Sequence, residues 1–283
     1  MRVGVIGYGI VGKAMVQTFL KRNIDCIYYD KYVETYSCLA QCCETCELLF
    51  LALPTPQGTD GYDLSAIHET LSFFEDHNYD GVIVLKSTIL PGTTHTLQLK
   101  YASLCIIHNP EFLSTRTAAE DYENQKHILI GITPKTTDED LELLENFFKI
   151  ALPETPSTIC TATESECTKI MCNAFYATKI QFFNELYFYS KKVHANFEMI
   201  TQNMINQGWI HSMHTKVPGH DNQFSFGGAC LPKDTRALLH DMVMRDIPHE
   251  VLHAVCNEQK KIRENDNFVM FTESHEIFAN DAS

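Results

Sequence analysis

The segment Gly7-Tyr8-Gly9-Ile10-Val11-Gly12 constrains this chain more than any other, because of what flanks it. An apolar run, Arg2–Ile6, reads as a strand directly before it, and Val11–Arg22 reads as a helix that opens inside it. Three glycines at such a junction permit a tight turn, close approach of a pyrophosphate, and close packing of helix on strand. Free amides at the helix start supply an anion site. Asp30 ends the next strand-like run, Asp25–Tyr29, eighteen residues after Gly12. A carboxylate there accepts hydrogen bonds from a ribose 2′-hydroxyl and repels a 2′-phosphate. The pattern therefore points to NAD rather than NADP, with Lys31 next door pulling the other way.

Four more apolar runs of strand length follow: Leu48–Ala52, Gly81–Leu85, Leu104–His108 and His127–Ile132. Helical patterns such as Leu64–His77 lie between them. Near-continuous apolar strands alternating with helices predict a parallel sheet covered on both faces, an α/β, doubly wound, Rossmann-like domain over residues 1–155. The pattern changes at the turn-rich stretch Pro153–Ser157. A long helix over Glu164–Val193 comes next, then a polar Gly/Pro/His-bearing segment, Gln207–Gly228, then helix from Lys233 to about Arg263. Residues 156–264 thus read as a mostly helical domain with a long central helix. Residues 265–283 read as a short polar tail with one β-like run, Phe268–Phe271.

A formal net charge of −14 argues against broad attraction to nucleic acid or an anionic membrane. A dinucleotide or nucleotide sugar, also anionic, needs local capture by backbone amides and a few lysines. No run is long enough to span a bilayer, and no secretory leader is evident. Eleven cysteines, an odd number, then read as reduced thiols in the cytoplasm.

Several later segments carry reactive side chains. In Phe226-Gly227-Gly228-Ala229-Cys230-Leu231-Pro232-Lys233-Asp234, paired glycines bring backbone close to a ligand and a thiol follows at a helix entry. Helix N-termini and neighbouring cations favour the thiolate, the nucleophilic form. A cysteine taken alone is more often a small buried hydrophobe, and it is the setting that singles out Cys230. Lys169 and Asn173, four apart in the long helix, leave one face together; an ammonium and an amide can hold a developing alkoxide, or simply form a solvated face. Asn109-Pro110-Glu111-Phe112-Leu113 ends a strand where open α/β sheets bind ligands, which makes Glu111 a candidate base or a carboxylate in a solvated turn. Lys86-Ser87-Thr88 ends another strand, with Thr88 placed to orient a water or a hydroxyl. Pro54-Thr55-Pro56 ends a third and lines the cofactor groove.

Other features read as structural. Cys38, Cys42, Cys43 and Cys46 are compactly spaced in a helix with no second pair and no nearby histidine, so no metal site is expected. His211, His214 and His220 lie in the loop before Cys230 and read as surface residues with possible substrate contact. Phe182, Phe183, Tyr187 and Phe188 recur at helical spacing as core or as a dimer seam. Asp138–Glu145 reads as a solvated helix face.

Taken together, GYGIVG, LPTP with a later DL pair, KSTILPGT, NPEFL, KIMCNAF…NE and FGGACLPKD resemble, in order, the UDP-glucose/GDP-mannose dehydrogenase family. They spread from Gly7 to Asp234. The resemblance implies NAD-dependent oxidation of the C6 alcohol of a nucleotide sugar, UDP-glucose foremost, to the carboxylate in two hydride transfers. It implies that Cys230 attacks the C6 aldehyde to form a thiohemiacetal, later a thioester that water hydrolyses. Lys169 and Asn173 steady the oxygen, Glu111 is the base, and Asp234 and Thr88 place the water. Gly7 to Gly12, Asp30, Pro54, Thr55, Thr88 and Thr115 fall on the cofactor side. Glu111, Phe112, Leu113, Lys169, Asn173, Phe226 and Gly227 fall on the substrate side.

The chain departs from the family at several positions. Thr115 stands where a second acid is usual, Trp209 where an arginine is expected, and Ser225 where glycine is common. After Asp234 the chain has 49 residues, too few for the second Rossmann-like, UDP-binding domain with which family members continue. The expectation is weak affinity for UDP-sugars, or a second chain that completes the nucleotide site. By the same resemblance the long helix pairs subunits as a homodimer. Two other readings stay open: an NAD- or nucleotide-binding module without catalysis, and a dehydrogenase of GDP-mannose or a UDP-N-acetylhexosamine.

Overall fold

The structure is a computed structural model, and it describes residues 1–33, 38–58 and 61–264. The run Phe268–Phe271 lies outside the described residues. Two compact units divide the chain, Met1–Ile170 and Met171 onward, with the boundary inside one long helix.

The first unit is built in chain order from β1 (Val3–Ile6), α1 (Ile10–Lys21), β2 (Cys26–Tyr29), α2 (Leu39–Thr45), β3 (Leu48–Leu51), β4 (Gln57–Gly58), β5 (Gly61–Tyr62) and α3 (Ser65–Asp76). It continues with β6 (Val82–Leu85), α4 (Thr93–Lys100), β7 (Cys105–His108), α5 (Ala118–Glu123), β8 (Ile128–Ile132), α6 (Asp138–Ala151), β9 (Ser157–Thr161) and the start of α7 (Ala162–Lys192). The sheet order is β2-β1-β3-β6-β7-β8-β9, and β4 and β5 form a small antiparallel pair. Strands β2 to β7 in that order are all parallel. β8 meets β7 antiparallel through His108 and Gly131, and β9 runs parallel to β8. The sheet is thus α/β and mostly parallel, with a reversal that the sequence did not announce, because an apolar strand buried on both faces reads the same in either direction.

Side chains alternate between two cores with the period of two that strands impose. Val3, Val5, Leu48, Phe50, Val82, Val84 and Ile107 face one side, where Met15 and Phe19 of α1 and Phe147 of α6 cover them. Ile6, Leu49, Leu51, Ile83, Leu85 and Ile106 face the other, under Ile67, Leu71 and Phe74 of α3. Each such side chain taken from water contributes roughly 1.5–3 kcal/mol before entropy. The acidic run is the first turns of α6, where Thr137 and Asp140 form a capping box and the carboxylates oppose the positive helix end. Cys42 and Cys46 pack into the second core, and the described residues hold no metal-ready group of three or more His, Cys, Asp or Glu.

The second unit holds the rest of α7, then α8 (Phe197–Asn206), α9 (Leu231–Met244) and α10 (Glu250–Arg263). The helical stretch expected from Lys233 to about Arg263 forms as two helices. Asp246 takes a left-handed backbone at φ 56° and Pro248 follows, and neither continues a helix. The four α7 aromatics singled out above separate: Phe183 is buried with Phe197 and Val217, Tyr187 and Phe188 pack on Phe224, and Phe182 is exposed. Among the described residues no helix is long and apolar enough to cross a membrane.

Candidate functional site

Strand order reverses between β1 and β3, and ligands of open α/β sheets bind beyond the carboxyl ends of strands at such a switch point. The glycine loop leaves β1 there. Gly7 has φ +95°, and a Cβ on it would lie 2.5 Å from the Ala52 carbonyl oxygen. A Cβ on Gly12 would lie 2.0 Å from the Gly7 oxygen, so the first and third glycines are demanded by backbone contact. Gly9 differs: nothing lies within 4 Å of the Cβ it lacks. It sits at the start of α1 with no side chain capping the first-turn amides. That opening suits a pyrophosphate, and this part of the site fits a dinucleotide.

Asp30 follows β2, and its Oδ2 accepts the Tyr8 amide at 2.9 Å while Oδ1 accepts the Tyr32 amide at 3.0 Å. The carboxylate therefore buttresses the glycine loop, and each oxygen retains a lone pair for a ribose hydroxyl. Lys31 donates to both oxygens of Glu69 at 2.8 and 2.9 Å, so a carboxylate offsets the cation that weakened the NAD reading. Tyr8 stacks on Tyr28, ring centroids 4.5 Å apart, with the Lys13 ammonium 5.7 Å from the Tyr8 ring. Ile10 is exposed and Val11 half-buried. The Thr55 hydroxyl donates to the Thr88 carbonyl at 2.8 Å, and the Ser87 hydroxyl to the Leu53 carbonyl at 2.7 Å. These bonds tie the loops after β3 and β6 together. Pro54 and Thr115 are exposed.

Within the same unit the loop after β7 meets the start of α7. The Lys169 ammonium lies 3.7 Å from Glu111 Oε1 and 5.1 Å from the Phe112 ring centre. Glu111 Oε2 accepts the Leu113 amide at 2.7 Å. Lys169 is only 5% exposed, so this pairing occurs largely away from water.

Polar residues that the sequence reading did not select hold this corner in place. Lys86, fully buried, donates to Asn109 Oδ1 at 2.6 Å, and Asn109 Nδ2 donates to the Leu129 carbonyl at 2.7 Å. His108 Nδ1 meets the Ser165 hydroxyl at 2.8 Å, and burial pushes its pKa down to about 3, so the ring is neutral. Gly131 leaves room for this approach, since its Cβ would lie 2.5 Å from Ser165 Cβ. Glu166, also buried, accepts the Gly92 and Thr94 amides at 2.6 Å each and so caps α4 from α7. Burial raises the Glu166 pKa, and these hydrogen bonds oppose that. For Lys86, His108 and Asn109 the available signal was a polar residue at the end of an apolar strand; Glu166, among polar neighbours, carried none.

Burial also pushes the Lys86 amine from its ordinary 10.5 down to about 7, with Glu111 opposing that and Lys169 adding to it. Between those two values the unfolded chain binds the extra proton, so this site's contribution to stability rises with pH across the window. In urea unfolding, the stability difference between wild type and Lys86→Met is expected to move in favour of wild type from pH 7 to about pH 10. A difference that stays flat would mean that the amine titrates normally.

The remaining candidates lie in the second unit. Cys230 is exposed and stands at the N-cap of α9, with Pro232 in the first turn, and its carbonyl accepts the Asp234 amide at 2.8 Å. Asp234 is buried; its Oδ2 accepts from Asn173 Nδ2 at 2.6 Å and its Oδ1 lies 2.8 Å from the Lys233 ammonium. The Phe226 side chain is buried with Ala177 and Val255, so this residue can offer a ligand only its backbone. A Cβ on Gly227 would lie 2.9 Å from the Arg263 guanidinium. Trp209 is 94% exposed, His211 and His220 are exposed, and His214 packs on the Tyr176 ring.

Comparison with known proteins matches two successive stretches of the chain. Residues 33–151 match the NAD binding domain of the UDP-glucose/GDP-mannose dehydrogenase family, and residues 163–260 match its central domain. NAD is the cofactor of that domain, and the glycine loop, which precedes the matched stretch, supports this independently by its geometry. The chain is 32% identical over 202 residues to a UDP-glucose 6-dehydrogenase of Bacillus subtilis, covering 68% of this chain and 44% of the relative. It is 29% identical over 224 residues to one of Streptococcus pneumoniae, covering 76% and 54%. It therefore spans about half the length of these curated relatives. In fold it is similar to a UDP-glucose dehydrogenase of Pyrobaculum islandicum, with a TM-score of 0.81 at 21% identity, covering 92% of this chain and 68% of that one. It is also similar to 3-hydroxyisobutyrate dehydrogenase of Mycobacterium tuberculosis, with a TM-score of 0.75 at 11% identity, covering 98% and 99%. With two matched domains of one family in sequence order, this chain belongs to the UDP-glucose/GDP-mannose dehydrogenase family.

Proposed function

We propose that this chain oxidises the C6 alcohol of a nucleotide sugar, UDP-glucose by the names of its relatives, to the carboxylate. The observation that carries the reading is an exposed thiol at the start of α9 with a buried carboxylate one turn on, Asp234, gripped by Asn173 and Lys233. A dehydrogenase that stops at the aldehyde has no use for a thiol.

The residues take these roles. Glu111 removes the hydroxyl proton, and Lys169 holds the oxygen as its charge develops. The Cys230 sulfur adds to the aldehyde carbon to give a thiohemiacetal, with Lys169 and Asn173 steadying the oxygen. Oxidation of that adduct leaves a thioester. A water placed by Asp234 and Thr88 then cleaves it, releasing carboxylate and restoring the thiol. NAD, held by Gly7–Gly12 and Asp30, supplies the two-electron acceptor for each oxidation. In total one alcohol, one water and two NAD+ give one carboxylate, two NADH and three protons. That none of the eleven cysteines is in a disulfide supports a reducing, cytoplasmic setting.

Phe175, Phe182 and Tyr189 stand seven apart on α7 and are 62%, 52% and 68% exposed. This stripe supports pairing with a second copy of the chain. The test is a single preparation assayed with UDP-glucose. We expect two NADH per sugar consumed, from a species that sediments as a dimer. One NADH per sugar would remove the thioester route. NAD binding without turnover on UDP-glucose, GDP-mannose or a UDP-N-acetylhexosamine would favour a binding module instead.

A further inference from the structure

Five residues before Cys230, Ser225 has a left-handed backbone at φ 60° and is buried. For a residue with a Cβ this conformation is strained, and it persists only where the surroundings hold it. Side chains from two helices take all three of its polar groups. Asn184 Oδ1 accepts its amide at 2.8 Å, Gln181 Oε1 accepts its hydroxyl at 2.6 Å, and an Arg263 terminal nitrogen donates to its carbonyl at 2.9 Å. The next carbonyl, of Phe226, accepts from Gln259 at 3.3 Å. Arg263 also bonds Asp221 at 2.8 Å and the Gln223 amide oxygen, and its guanidinium occupies the space that a side chain at Gly227 would need.

The geometry of the following stretch explains why this matters. Phe226 and Leu231 pack in one apolar cluster, and between them run only Gly227, Gly228, Ala229 and Cys230. Two glycines leave that stretch free to adopt many conformations. With so little stiffness of its own, the stretch takes its path, and with it the position of the sulfur, from its held ends, Ser225–Phe226 on one side and Leu231 on the other.

We propose that Gln181, Asn184 and Arg263 are positioning residues that hold Ser225 left-handed and thereby set how Cys230 is presented. The proposal rests on the reading of Cys230 as the nucleophile. It also explains how serine is tolerated at a position whose backbone suits glycine: Gln181 and Arg263 supply by hydrogen bonding what glycine supplies by lacking a Cβ.

The test uses the full chain and the rate of Cys230 alkylation by iodoacetamide from pH 6 to pH 10, read by peptide mass spectrometry. Cys230 is already exposed, so access does not limit its rate and thiolate fraction does. Gln181→Leu and Arg263→Ala are expected to slow alkylation at pH 7 by about fivefold or more, to shift the rate–pH curve to the alkaline side, and to leave the high-pH rate unchanged. Turnover is expected to fall about tenfold with KM for the sugar changed less than about threefold. Arg263→Lys restores part of the loss. In a Ser225→Gly background, where the left-handed backbone costs little, Gln181→Leu becomes nearly silent. That cycle decides the question even if Arg263→Ala does not fold. Folded Gln181→Leu with an unchanged rate–pH curve, or an equal effect of Gln181→Leu in both backgrounds, would overturn the proposal. If the alkylation changes occur as expected but wild type turns over no nucleotide sugar, the positioning stands and the proposed function fails.

Discussion

Replacing Cys230 by serine is expected to lower steady-state NADH production by about a thousandfold or more and to hold single-turnover NADH to at most one per site. On the proposed route the first oxidation, alcohol to aldehyde, needs a base and an oxygen stabiliser but no thiol. The second needs a covalent adduct, and a serine hydroxyl is a far weaker nucleophile near neutral pH than a thiolate. Because Cys230 is exposed, exchanging sulfur for oxygen removes little packing, and stability should change by less than about 0.5 kcal/mol. Activity and thermal unfolding measured together separate chemistry from folding. A serine variant that still yields two NADH per sugar would take Cys230 out of the mechanism.

Gly12→Ala is expected to strike the fold and the cofactor site together. In an unobstructed helix interior this change would stabilise by about 1 kcal/mol through propensity. Here the new methyl would lie 2.0 Å from the Gly7 carbonyl oxygen and 3.1 Å from its carbon, both backbone atoms that cannot swing aside. Relief requires α1 to move off β1, and α1 carries Met15 and Phe19 into the core, where Phe19 packs on Phe50 and Phe147 with ring centres 5.7 and 5.1 Å apart. The clash outweighs the propensity. A net loss of about 3 kcal/mol is expected, a fall in Tm of roughly 6–12 °C for a unit of this size, with NAD affinity reduced at least about tenfold. Gly9→Ala provides the contrast. Its φ of −76° suits alanine and its Cβ meets nothing, so Tm should hold while NAD affinity falls, because the methyl occupies the path of the pyrophosphate. Thermal unfolding and NAD titration of the pair would refute this reading if Gly12→Ala melted with wild type.

Six strands of the sheet were legible as apolar runs, because a strand buried on both faces must be apolar along its length. β9 was not. Ser157–Thr161 is polar and mostly exposed at the sheet edge, so no burial wrote it into the sequence. The break between α9 and α10 was readable in principle from Pro248, but the helical periodicity on either side masked it. The glycine loop and Asp30 were selected from sequence, yet the grip of Asp30 on the Tyr8 amide was not, since it depends on a contact between residues 22 apart in the chain.

The amino-acid sequence by itself determined the class of this fold and the dinucleotide loop, and it nominated the candidate reactive side chains. Those depend on local spacing: apolar period, glycine placement and residue type. Tertiary structure alone decided the reversal at β8, the buried polar frame of Lys86, His108 and Glu166, and the left-handed Ser225 held by Gln181, Asn184 and Arg263. A buried polar or strained group is stable only through its partners, and those partners are brought together by folding rather than by neighbouring positions in the chain.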